Sequence, residues 1–335
     1  MSLSDRFNRP FRDLRISVTD RCNFRCTYCM PKEVFGHRYK FLPQPELLTF
    51  EEIARLVRVF TRFGVQKIRL TGGEPLMRRD IEVLIGMLAA IPDVEIAMTT
   101  NGSFPTERIQ KLKAAGLHRM TVSLDALDNP TFKAMNDVNF PVEKVLEWID
   151  AAKDAGFDPV KVNMVVKRDF NEHSILPMAR YFRERGHILR MIEYMDVGST
   201  NGWRMDDVLT AKEIVEIINA EMPIKPTNPN YFGEVAQRWH YTDGNGGEVG
   251  VIASVTQAFC STCTRARLSA KGELYTCLFA VKGFDFRELI RSGASDDDLA
   301  TAMEQVWRKR TDRYSEIRTD ATIKLPKVEM SYIGG

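Results

Sequence analysis

One repeat of a helix followed by a strand occupies residues 51–75, EEIARLVRVFTRFGVQKIRLTGGEP. Apolar side chains from Ile53 to Phe60 follow helical spacing, and Gly64 stands where glycine commonly caps a helix. The run Lys67 to Leu70 then predicts a buried strand. This order of helix, glycine and strand is the unit from which α/β folds are built.

The same unit returns at three more glycines, Gly116, Gly156 and Gly186, each followed closely by an apolar, β-branched run. Strands that alternate with helices pair in parallel through right-handed crossovers, so the pattern predicts an α/β barrel or an open doubly wound sheet. Six such strands fall short of the eight that close a full barrel. The predicted strands are Leu14 to Thr19, Lys67 to Leu70, Val94 to Thr99, Arg119 to Leu124, Lys161 to Val166 and Leu189 to Tyr194.

The pattern changes beyond a proline-rich stretch, Met222 to Asn230, which is expected to link two regions. A glycine-rich turn between Arg238–Thr242 and Gly250–Val255 predicts a hairpin, and a second hairpin follows it. We therefore predict a parallel α/β domain in residues 1–225. Residues 226–335 are predicted to form a smaller α+β region that ends in one or two helices and an irregular tail.

Three cysteines, Cys22, Cys26 and Cys29, stand in the loop expected after the first strand. Iron-sulfur clusters are usually held by four cysteines and zinc knuckles by two Cys-x2-Cys arms. A lone triplet therefore predicts a cluster with one iron left open for a small molecule. A structural zinc site or a disulfide is the alternative. Because the N-terminus lacks the apolar stretch of a signal peptide, we expect metal ligands rather than disulfides.

This CxxxCxxC run, with the aromatic Tyr28 before its last cysteine, resembles the signature of the radical S-adenosylmethionine (SAM) enzymes. The resemblance implies a partial (β/α)6 TIM-like barrel and a [4Fe-4S] cluster whose open iron chelates SAM. It also implies that Gly72, Gly73 and Glu74 hold the amino group of SAM. This loop directly follows a predicted strand, and functional residues collect at the carboxyl ends of parallel strands.

A second triplet, Cys260, Cys263 and Cys277, uses the remaining cysteines and again lacks a fourth. Zinc would need another ligand, and the nearest histidine upstream, His240, lies beside aromatic residues in a predicted strand. We therefore predict a second [4Fe-4S] cluster in the C-terminal region, with one iron that no cysteine binds.

Basic side chains accompany this second triplet. Arg265 and Arg267 lie between Cys263 and Cys277, and guanidinium groups match phosphate oxygens in a bidentate way. The alternative is that both face solvent, but further cations fall at predicted strand ends, where buried charge is costly unless an anion pairs with it. The set predicts a phosphorylated, polyanionic substrate. Its other members are Arg15, Lys67, Arg69 and Lys161.

The run Phe259 to Ser269, with Cys277 and the terminal Gly334-Gly335, narrows the resemblance. From about residue 13 onward the chain is similar to the GTP 3',8-cyclases of molybdenum cofactor biosynthesis, the MoaA family. The resemblance implies that the final two glycines reach into the active site. It implies GTP ligands at Arg15, Lys67, Arg69, Thr100, Lys161, Arg265, Ala266 and Arg267, and SAM ligands at Tyr28, Gly72, Gly73, Glu74, Ser123 and Met195.

One departure from that family lies at Asn136-Asp137. Relatives usually carry a glycine in this helix-connecting loop. We expect the loop to be remote from the active site, so that only its local conformation differs.

The family resemblance also implies the chemistry of a lyase. One electron from the first cluster cleaves SAM, and the resulting 5'-deoxyadenosyl radical removes the 3' hydrogen of the GTP ribose. The carbon radical then attacks guanine C8, and an electron and a proton complete (8S)-3',8-cyclo-7,8-dihydroguanosine 5'-triphosphate. The second cluster would anchor guanine. No side chain is expected to act as a catalytic acid or base, and the cations position the triphosphate.

Two other functions fit parts of the pattern. A radical SAM peptide maturase can also carry an auxiliary cluster, but its C-terminal extension usually holds more cysteines, and the short N-terminus here offers no peptide-docking domain. A non-catalytic protein with two zinc knuckles would be colourless, whereas iron-sulfur protein is brown.

The net charge of +2 over 335 residues gives no reason to expect nucleic acid or a membrane surface as a partner. No apolar run reaches the roughly 18 residues that a membrane helix needs, so we expect a cytoplasmic protein. The family resemblance adds GTP and SAM as substrates, a homodimer, and a downstream cyclic pyranopterin monophosphate synthase.

Overall fold

The computed structural model describes residues 3–323 and 325–335, and its strands form one mixed sheet. The strands are β1 Asp13–Ser17, β2 Lys67–Thr71, β3 Glu95–Thr100, β4 Arg119–Ser123, β5 Lys161–Val166, β6 Ile188–Glu193, β7 Ile224–Thr227, β8 Gln237–Tyr241, β9 Glu248–Ile252, β10 Arg265–Leu268, β11 Glu273–Tyr275 and β12 Phe284–Asp285. Their order in the sheet is β12-β11-β10-β1-β2-β3-β4-β5-β6-β9-β8-β7.

Strands β1 to β6 stand side by side in chain order, and each neighbouring pair is parallel. All six predicted strands are therefore confirmed, with bounds that differ from the prediction by at most two residues. The order of the described strands is linear, so the parallel unit is a partial (β/α)6 barrel rather than a ring closed by hydrogen bonds.

Helices alternate with these strands as predicted. Thr49 and Glu52 form a capping box at the start of the first helix, whose buried face runs from Ile53 to Phe60. The four repeat glycines all adopt positive φ after their helices. The helices are α1 Phe50–Thr61, α2 Ile81–Ala89, α3 Glu107–Ala114, α4 Asn129–Asn136, α5 Val142–Asp154, α6 Ile175–Glu184, α7 Ala211–Glu221, α8 Phe286–Arg291, α9 Asp296–Arg308, α10 Asp320–Ile323 and α11 Met330–Ile333.

The C-terminal strands extend the sheet at both edges. Strand β9 pairs in parallel with β6, and β10 pairs in parallel with β1. The predicted hairpins are confirmed, because β8 pairs with β9 and β10 with β11, both antiparallel. The predicted linker contains β7, where Pro226 occupies an outermost strand, as proline in sheets usually does. The domain boundary between residues 225 and 226 stays a prediction.

The core fills the space between this sheet and its helices. Trp148 on α5 and Trp307 on α9 are fully buried. Phe11, just before β1, stacks on Trp307 with ring centroids 4.6 Å apart, which joins the first strand to the C-terminal helix. No helix in residues 3–323 or 325–335 is long and apolar enough to cross a membrane.

Candidate active site

One cavity lies along the inner side of the parallel strands and β10, and both cysteine triplets line it. The cavity wall also includes most of the predicted ligands, namely Arg15, Tyr28, Lys67, Arg69, Gly72, Gly73, Glu74, Thr100, Ser123, Met195, Arg265, Arg267 and Gly335. Three predicted residues lie just outside this wall: Lys161, Ala266 and Gly334. Ala266 is fully buried, because side chains alternate along β10 and its neighbours Arg265 and Arg267 face the cavity.

The first triplet lies in the loop after β1. The Cys29 N–H donates to Cys26 O at 2.9 Å, a tight turn that gathers the thiols. Burial, with a smaller contribution from Glu74, raises the pKa of the Cys22 thiol to about 12. Burial, Asp125 and the other two cysteines raise the pKa of Cys26. Thiols ionise when they bind metal, and three free thiols in one wall fit a cluster with three cysteine ligands.

Two glycines after β2 pack directly on the backbone of this cysteine loop. The Gly73 N–H donates to Thr19 O and the Glu74 N–H to Arg21 O, both at 2.8 Å. A Cβ on Gly72 would lie 2.5 Å from Thr19 O, and one on Gly73 would overlap Arg21 O. Both positions therefore require glycine, and the loop presents backbone rather than side chains beside the triplet.

Glu74 is buried at the end of this loop and holds the loop after β3. Its carboxylate accepts hydrogen bonds from the Thr100 hydroxyl and the Asn101 N–H, both at 2.7 Å. Burial raises the pKa of Glu74 to about 7. Thr100 thus lies among the predicted SAM ligands, and its assignment to GTP stays a prediction.

Three further predicted SAM ligands converge from different elements. Tyr28 comes from the cysteine loop, Ser123 from the end of β4 and Met195 from the loop after β6. The Tyr28 hydroxyl donates to Asp125 at 2.9 Å, and the same carboxylate accepts the Val165 N–H at 2.9 Å. Burial raises the pKa of Asp125 to about 6. This carboxylate fixes the tyrosine relative to β5.

The second triplet is set among arginines. Cys263 Sγ accepts hydrogen bonds from Arg265 at 3.3 Å and Arg310 at 3.2 Å. Burial would raise the pKa of Cys263, but Arg265 and Arg310 outweigh it and lower the pKa to about 6. At Cys277, by contrast, burial and Asp312 raise the pKa to about 12. Three free thiols again fit three cysteine ligands, and one of them is held close to its thiolate form.

Two buried arginines hold the backbone of this second triplet. Arg9 donates to Cys260 O and Arg310 to Cys263 O, both at 2.8 Å. Asp5 bridges the two guanidinium groups, 2.6 Å from Arg9 and 3.3 Å from Arg310. Sequence reasoning missed them, because a polar, basic N-terminus predicts exposed chain and Arg310 follows a helix rich in charge. The described residues contain no group of three or more His, Cys, Asp or Glu arranged to hold a single metal ion.

Strand pairing brings three of the predicted phosphate-binding arginines into one row. Arg15 stands opposite Arg267 on β10 and Arg69 on β2. Burial lowers the pKa of Arg69 to about 10 and that of Arg267 to about 9. Buried guanidinium groups side by side are costly unless an anion joins them. The row therefore supports a polyanionic ligand.

The predicted position of the cations needs one correction. The prediction that the cations lie at strand ends is correct for Lys67 and Lys161, the first residues of β2 and β5. It is wrong for Arg15 and Arg69, which lie in the middle of their strands. Their inward direction comes from the alternation of side chains along each strand. The SAM motifs follow the carboxyl ends of the strands, so the cations lie deeper, toward the amino ends. The cavity thus has two chemically different ends.

Two polar residues on β5 and β6 belong to the cationic end and were missed. Arg190 lines the cavity, and Asn163, its neighbour across the strand pair, has a buried Oδ1 that accepts no hydrogen bond from the described residues. Burial, Arg190, Arg119 and Lys67 together lower the pKa of Lys161 to about 7. Polar side chains at alternate positions of an otherwise apolar strand are the signal that could have revealed Asn163 and Arg190.

Comparisons with known proteins identify the family of this chain. A family model described as "Radical SAM superfamily" matches residues 16–182, and one described as "Molybdenum Cofactor Synthesis C" matches residues 187–316. A curated GTP 3',8-cyclase from Acidothermus cellulolyticus is 52% identical over 99% of both chains, and one from Staphylococcus carnosus is 51% identical over 99% of both. The chain belongs to the GTP 3',8-cyclase family of radical SAM enzymes.

A solved structure supports the fold alone. Streptococcus suis SuiB bound to the precursor peptide SuiA superposes with a TM-score of 0.64 at 13% identity, over 93% of this chain and 67% of that chain. The likeness extends beyond the partial barrel into the C-terminal part.

The terminal residues Gly334 and Gly335 lie at the cavity. Gly335 lines it, and Gly334 O accepts a hydrogen bond from Arg267. Gly334 has φ +77°, and a Cβ there would overlap the Thr71 hydroxyl. Short helix α11 leads into this position. Only a residue without a side chain fits between β2 and the arginine of β10.

The departure from the family pattern at Asn136-Asp137 is not remote, and that prediction is wrong. Asn136 O accepts the Arg25 N–H at 2.9 Å, and Asp137 pairs with Lys32 at 2.7 Å, so the end of α4 packs on the cysteine loop. Asp137 has φ +49° at the end of α4, the left-handed conformation for which glycine is favoured. More than a hundred residues separate the two segments, and sequence spacing does not reveal their contact.

Proposed function

We propose that this chain is a lyase that converts GTP to (8S)-3',8-cyclo-7,8-dihydroguanosine 5'-triphosphate, the first step of molybdenum cofactor biosynthesis. Two curated GTP 3',8-cyclases, 52% and 51% identical over essentially the whole chain, support this function. The observation that carries it is the two-ended cavity. A cysteine triplet with SAM-type loops lies at one end, and a row of three guanidinium groups, buried at Arg267 and partly buried at Arg15 and Arg69, lies with a second triplet at the other.

The first end would bind SAM. Cys22, Cys26 and Cys29 would hold a [4Fe-4S] cluster, which when bound supplies the electron that cleaves SAM to methionine and the 5'-deoxyadenosyl radical. The protein's own part is placement. The backbone beside the triplet at Gly72 and Gly73 is free of side chains, which suits the amino group of SAM. The remaining proposed SAM contacts are Tyr28, Glu74, Ser123 and Met195.

The second end would bind the triphosphate of GTP. Guanidinium and ammonium groups that are costly to bury alone become favourable when phosphate oxygens join them. Their contribution to rate is to fix the ribose 3' carbon in reach of the radical, because a reacting pair held in place gains a large effective concentration. The proposed contacts are Arg15, Lys67, Arg69, Thr100, Lys161, Arg265, Ala266 through its backbone, and Arg267, with Arg190 added by its position.

We propose that Cys260, Cys263 and Cys277 would hold a second [4Fe-4S] cluster, which would leave one iron without a cysteine ligand and so offer a binding site for guanine. The donor set supports this, because it offers three free thiols and no fourth cysteine remains in the chain. Arg265 fits both roles at this end, since it contacts Cys263 and lies next to the phosphate-binding row.

The proposed bond changes balance once two electrons and one proton are supplied from outside the two substrates. The 5'-deoxyadenosyl radical takes the hydrogen from C3' and becomes 5'-deoxyadenosine. The C3' radical then forms a bond to guanine C8 as the π bond between C8 and N7 breaks, which leaves an unpaired electron on N7. One electron and one proton complete the product. Each turnover therefore consumes one SAM and two electrons, and an external reductant supplies both electrons.

The test is 5'-deoxyadenosine formation by anaerobically reconstituted protein with SAM and dithionite. GTP is compared with no nucleotide and with ATP, and the cyclised product is identified by mass spectrometry. We expect release that depends on GTP, with one cyclised nucleotide for each 5'-deoxyadenosine. Release that is indifferent to GTP would keep the radical SAM family and reject the substrate. A radical SAM peptide maturase, the second candidate, is favoured only if GTP is inert and a peptide stimulates release.

Three expectations about context are carried forward as proposals from the family. We propose a homodimer, a product that passes to cyclic pyranopterin monophosphate synthase, and a cytoplasmic location. Six free cysteines support the last of these, because reducing compartments preserve thiols and clusters. Size-exclusion chromatography with light scattering tests the first.

A further inference from the structure

Asp196 follows Met195 in the loop after β6 and is only 2% exposed. Its carboxylate accepts hydrogen bonds from three groups of one C-terminal stretch: the Tyr314 hydroxyl, Arg318 at 3.1 Å and Lys327 at 2.8 Å. Lys327 Nζ also donates to Asp196 O at 3.0 Å and to Ile323 O at 3.1 Å. All three ammonium hydrogens are thus used inside the protein. An ion group satisfied in this way holds two chain segments in one arrangement.

Glu329 makes a second connection between the same two segments. Its carboxylate accepts the Ser199 N–H at 3.0 Å and the Thr200 hydroxyl at 3.1 Å. The Lys327 N–H donates to Ser199 Oγ at 2.9 Å. Gly198 has φ +66°, and a Cβ there would overlap the Glu329 carboxylate. The loop after β6 is shaped around the chain that leads to the Gly-Gly tail.

The same cluster reaches the second triplet. The Tyr314 ring stacks on Phe279, with centroids 4.2 Å apart and planes 19° apart. Phe279 lies two residues beyond Cys277 and lines the cavity. Arg318 donates to the carbonyls of Ser254 and Val255, just after β9. The cluster around Asp196 therefore contacts three segments: the loop of Met195, the loop after Cys277 and the chain that ends in Gly335.

We propose that Asp196, Arg318, Lys327 and Glu329 form a latch that makes the SAM-binding loop and the Gly-Gly tail move as one unit. The latch rests on the proposed function, in which Met195 contacts SAM and the Gly-Gly tail reaches the substrate site. The latch residues are positioning residues, because they act through Met195 and through Gly334 and Gly335. Their role is to make SAM binding order the tail, and the tail order the SAM loop, since coupling between two sites is reciprocal.

The physical reason is the cost of separating the two segments. If the loop moved away from the tail, Lys327 would lose its carboxylate and a buried ammonium group without a partner is strongly unfavourable. Separation of the two segments is therefore disfavoured, and the proposed latch favours the arrangement in which they are joined. A two-state element biased from both sides is what energetic coupling requires.

The first test is hydrogen exchange of the cluster-loaded protein, with and without SAM and in the absence of GTP. Lys327→Met removes the ammonium group but leaves Asp196 paired with Arg318 and Tyr314, so the variant keeps a neutralised carboxylate and is expected to fold. Lys327→Arg retains the charge. The matched control is Lys212→Met, which removes an exposed lysine from α7.

In wild type, SAM should slow exchange both in residues 195–201 and in residues 327–335. In Lys327→Met, tail exchange should rise at least about fivefold and no longer respond to SAM, while residues 195–201 still respond. Lys327→Arg and Lys212→Met should behave like wild type. A tail in Lys327→Met that is as protected by SAM as in wild type would overturn the latch. So would a wild-type tail that ignores SAM.

The second test uses turnover and a double variant. Lys327→Met should raise the ratio of 5'-deoxyadenosine to cyclised product at least about fivefold, because SAM cleavage loses its link to an ordered substrate site. Deletion of Gly334 and Gly335 should raise the ratio in the same way, and adding Lys327→Met to the deletion should change nothing further. Additive effects would place Lys327 outside the tail pathway. Because the exchange test needs no GTP, failure of GTP turnover would reject the proposed function and leave the latch tested.

Discussion

The two ends of the cavity carry the same residue type, three cysteines each, in opposite electrostatic surroundings. The first triplet lies beside Glu74 and Asp125, and the second beside Arg265 and Arg310. Positive charge and hydrogen bonds to sulfur stabilise the more negative, reduced state of a cluster, and nearby carboxylates destabilise it. If both triplets hold clusters as we propose, the first cluster is expected to give an electron away more readily and the second to retain charge.

The two ends also differ in how they are assembled. The first is local, because the cysteine loop and the Gly72-Gly73 loop follow neighbouring strands and pack backbone against backbone. The second is assembled over long distances, since Arg9 and Arg310 reach the same turn from opposite parts of the chain. Loss of one residue should therefore act narrowly at the first end and more widely at the second.

Replacing one cysteine at each end is the strongest test of whether the two ends have separate roles. Cys26→Ser should abolish SAM cleavage, a loss of more than about a thousandfold, because the radical has no electron source. Cys263→Ser should lose cyclisation to a similar degree but keep the SAM cleavage that the first end performs. Iron content and 5'-deoxyadenosine are measured together, and each variant should lose about half of its iron. If Cys263→Ser also stopped SAM cleavage, the two ends would not be separable.

The arginine row gives the next largest effect. Arg267→Ala should weaken GTP binding on the order of 100-fold, because a desolvated guanidinium-phosphate contact is lost, and should leave iron content unchanged. Arg265→Ala should weaken GTP binding and also disturb the second cluster, since Arg265 donates to Cys263. Equilibrium binding of GTP to cluster-loaded protein, with iron analysis, separates the two variants. Equal iron loss in both would contradict the distinction.

Arg310 tests the electrostatic part of the comparison directly. Arg310→Gln removes a charged donor to Cys263 and should lower the reduction potential of the second cluster on the order of 50 mV. Arg310→Lys keeps the charge and should shift it less. Potentiometric titration followed by electron paramagnetic resonance measures both clusters, and the first should not move. A common shift at both ends would mean that the arginine acts through general stability.

The fold was largely accessible from the sequence, because its signals are local. Each helix, capping glycine and strand of the parallel unit occupies one continuous stretch, and residues 51–75 already contain the whole repeat. The strand in the presumed linker was not expected, since three prolines obscure β7, which pairs only along an edge. Pairing of β9 and β10 with opposite edges of the unit depends on tertiary contacts that no local pattern encodes.

The site follows the same division. Cysteine spacing and the Gly-Gly loop carry their chemistry in a few adjacent residues, so the first end could be predicted in detail. The buried group of Asp5, Arg9 and Arg310 could not, because each residue alone resembles ordinary surface charge. The contact of Asp137 with the cysteine loop could not be predicted for the same reason, because it joins positions 105 residues apart.

Lys161 allows a smaller, pH-dependent test of the cationic end. Its pKa is lowered to about 7 by burial and neighbouring cations, so ligand-free protein releases this proton above about pH 7, whereas bound phosphate requires it. GTP affinity should therefore fall by up to about tenfold per pH unit above pH 7. Lys161→Arg should flatten this profile, because arginine stays protonated. An unchanged slope in that variant would remove Lys161 from the binding step.

The lowered pKa of Lys161 also makes the stability of the ligand-free protein depend on pH. The unfolded chain keeps the proton of Lys161 up to its ordinary pKa near 10.4, whereas the folded chain loses it near 7. Between these values the unfolded state binds more protons, so this group's contribution to stability rises with pH. Lys161→Met should accordingly raise the Tm of ligand-free protein at about pH 7, and the gain should shrink by about pH 9. A gain independent of pH would point to packing instead.

Asp137→Gly should have the smallest effect and bears on the first end alone. Glycine relieves the positive φ at the end of α4 but loses the ion pair with Lys32, which is more than half exposed and therefore screened. The opposing terms should leave Tm within about 2 °C of wild type and SAM cleavage unchanged. Asp137→Ala is the matched control, because it loses the ion pair and keeps the strain, and it should be less stable than Asp137→Gly. If SAM cleavage fell in both variants alike, the Lys32 contact would be shaping the cysteine loop, and the first end would depend on distant residues as the second does.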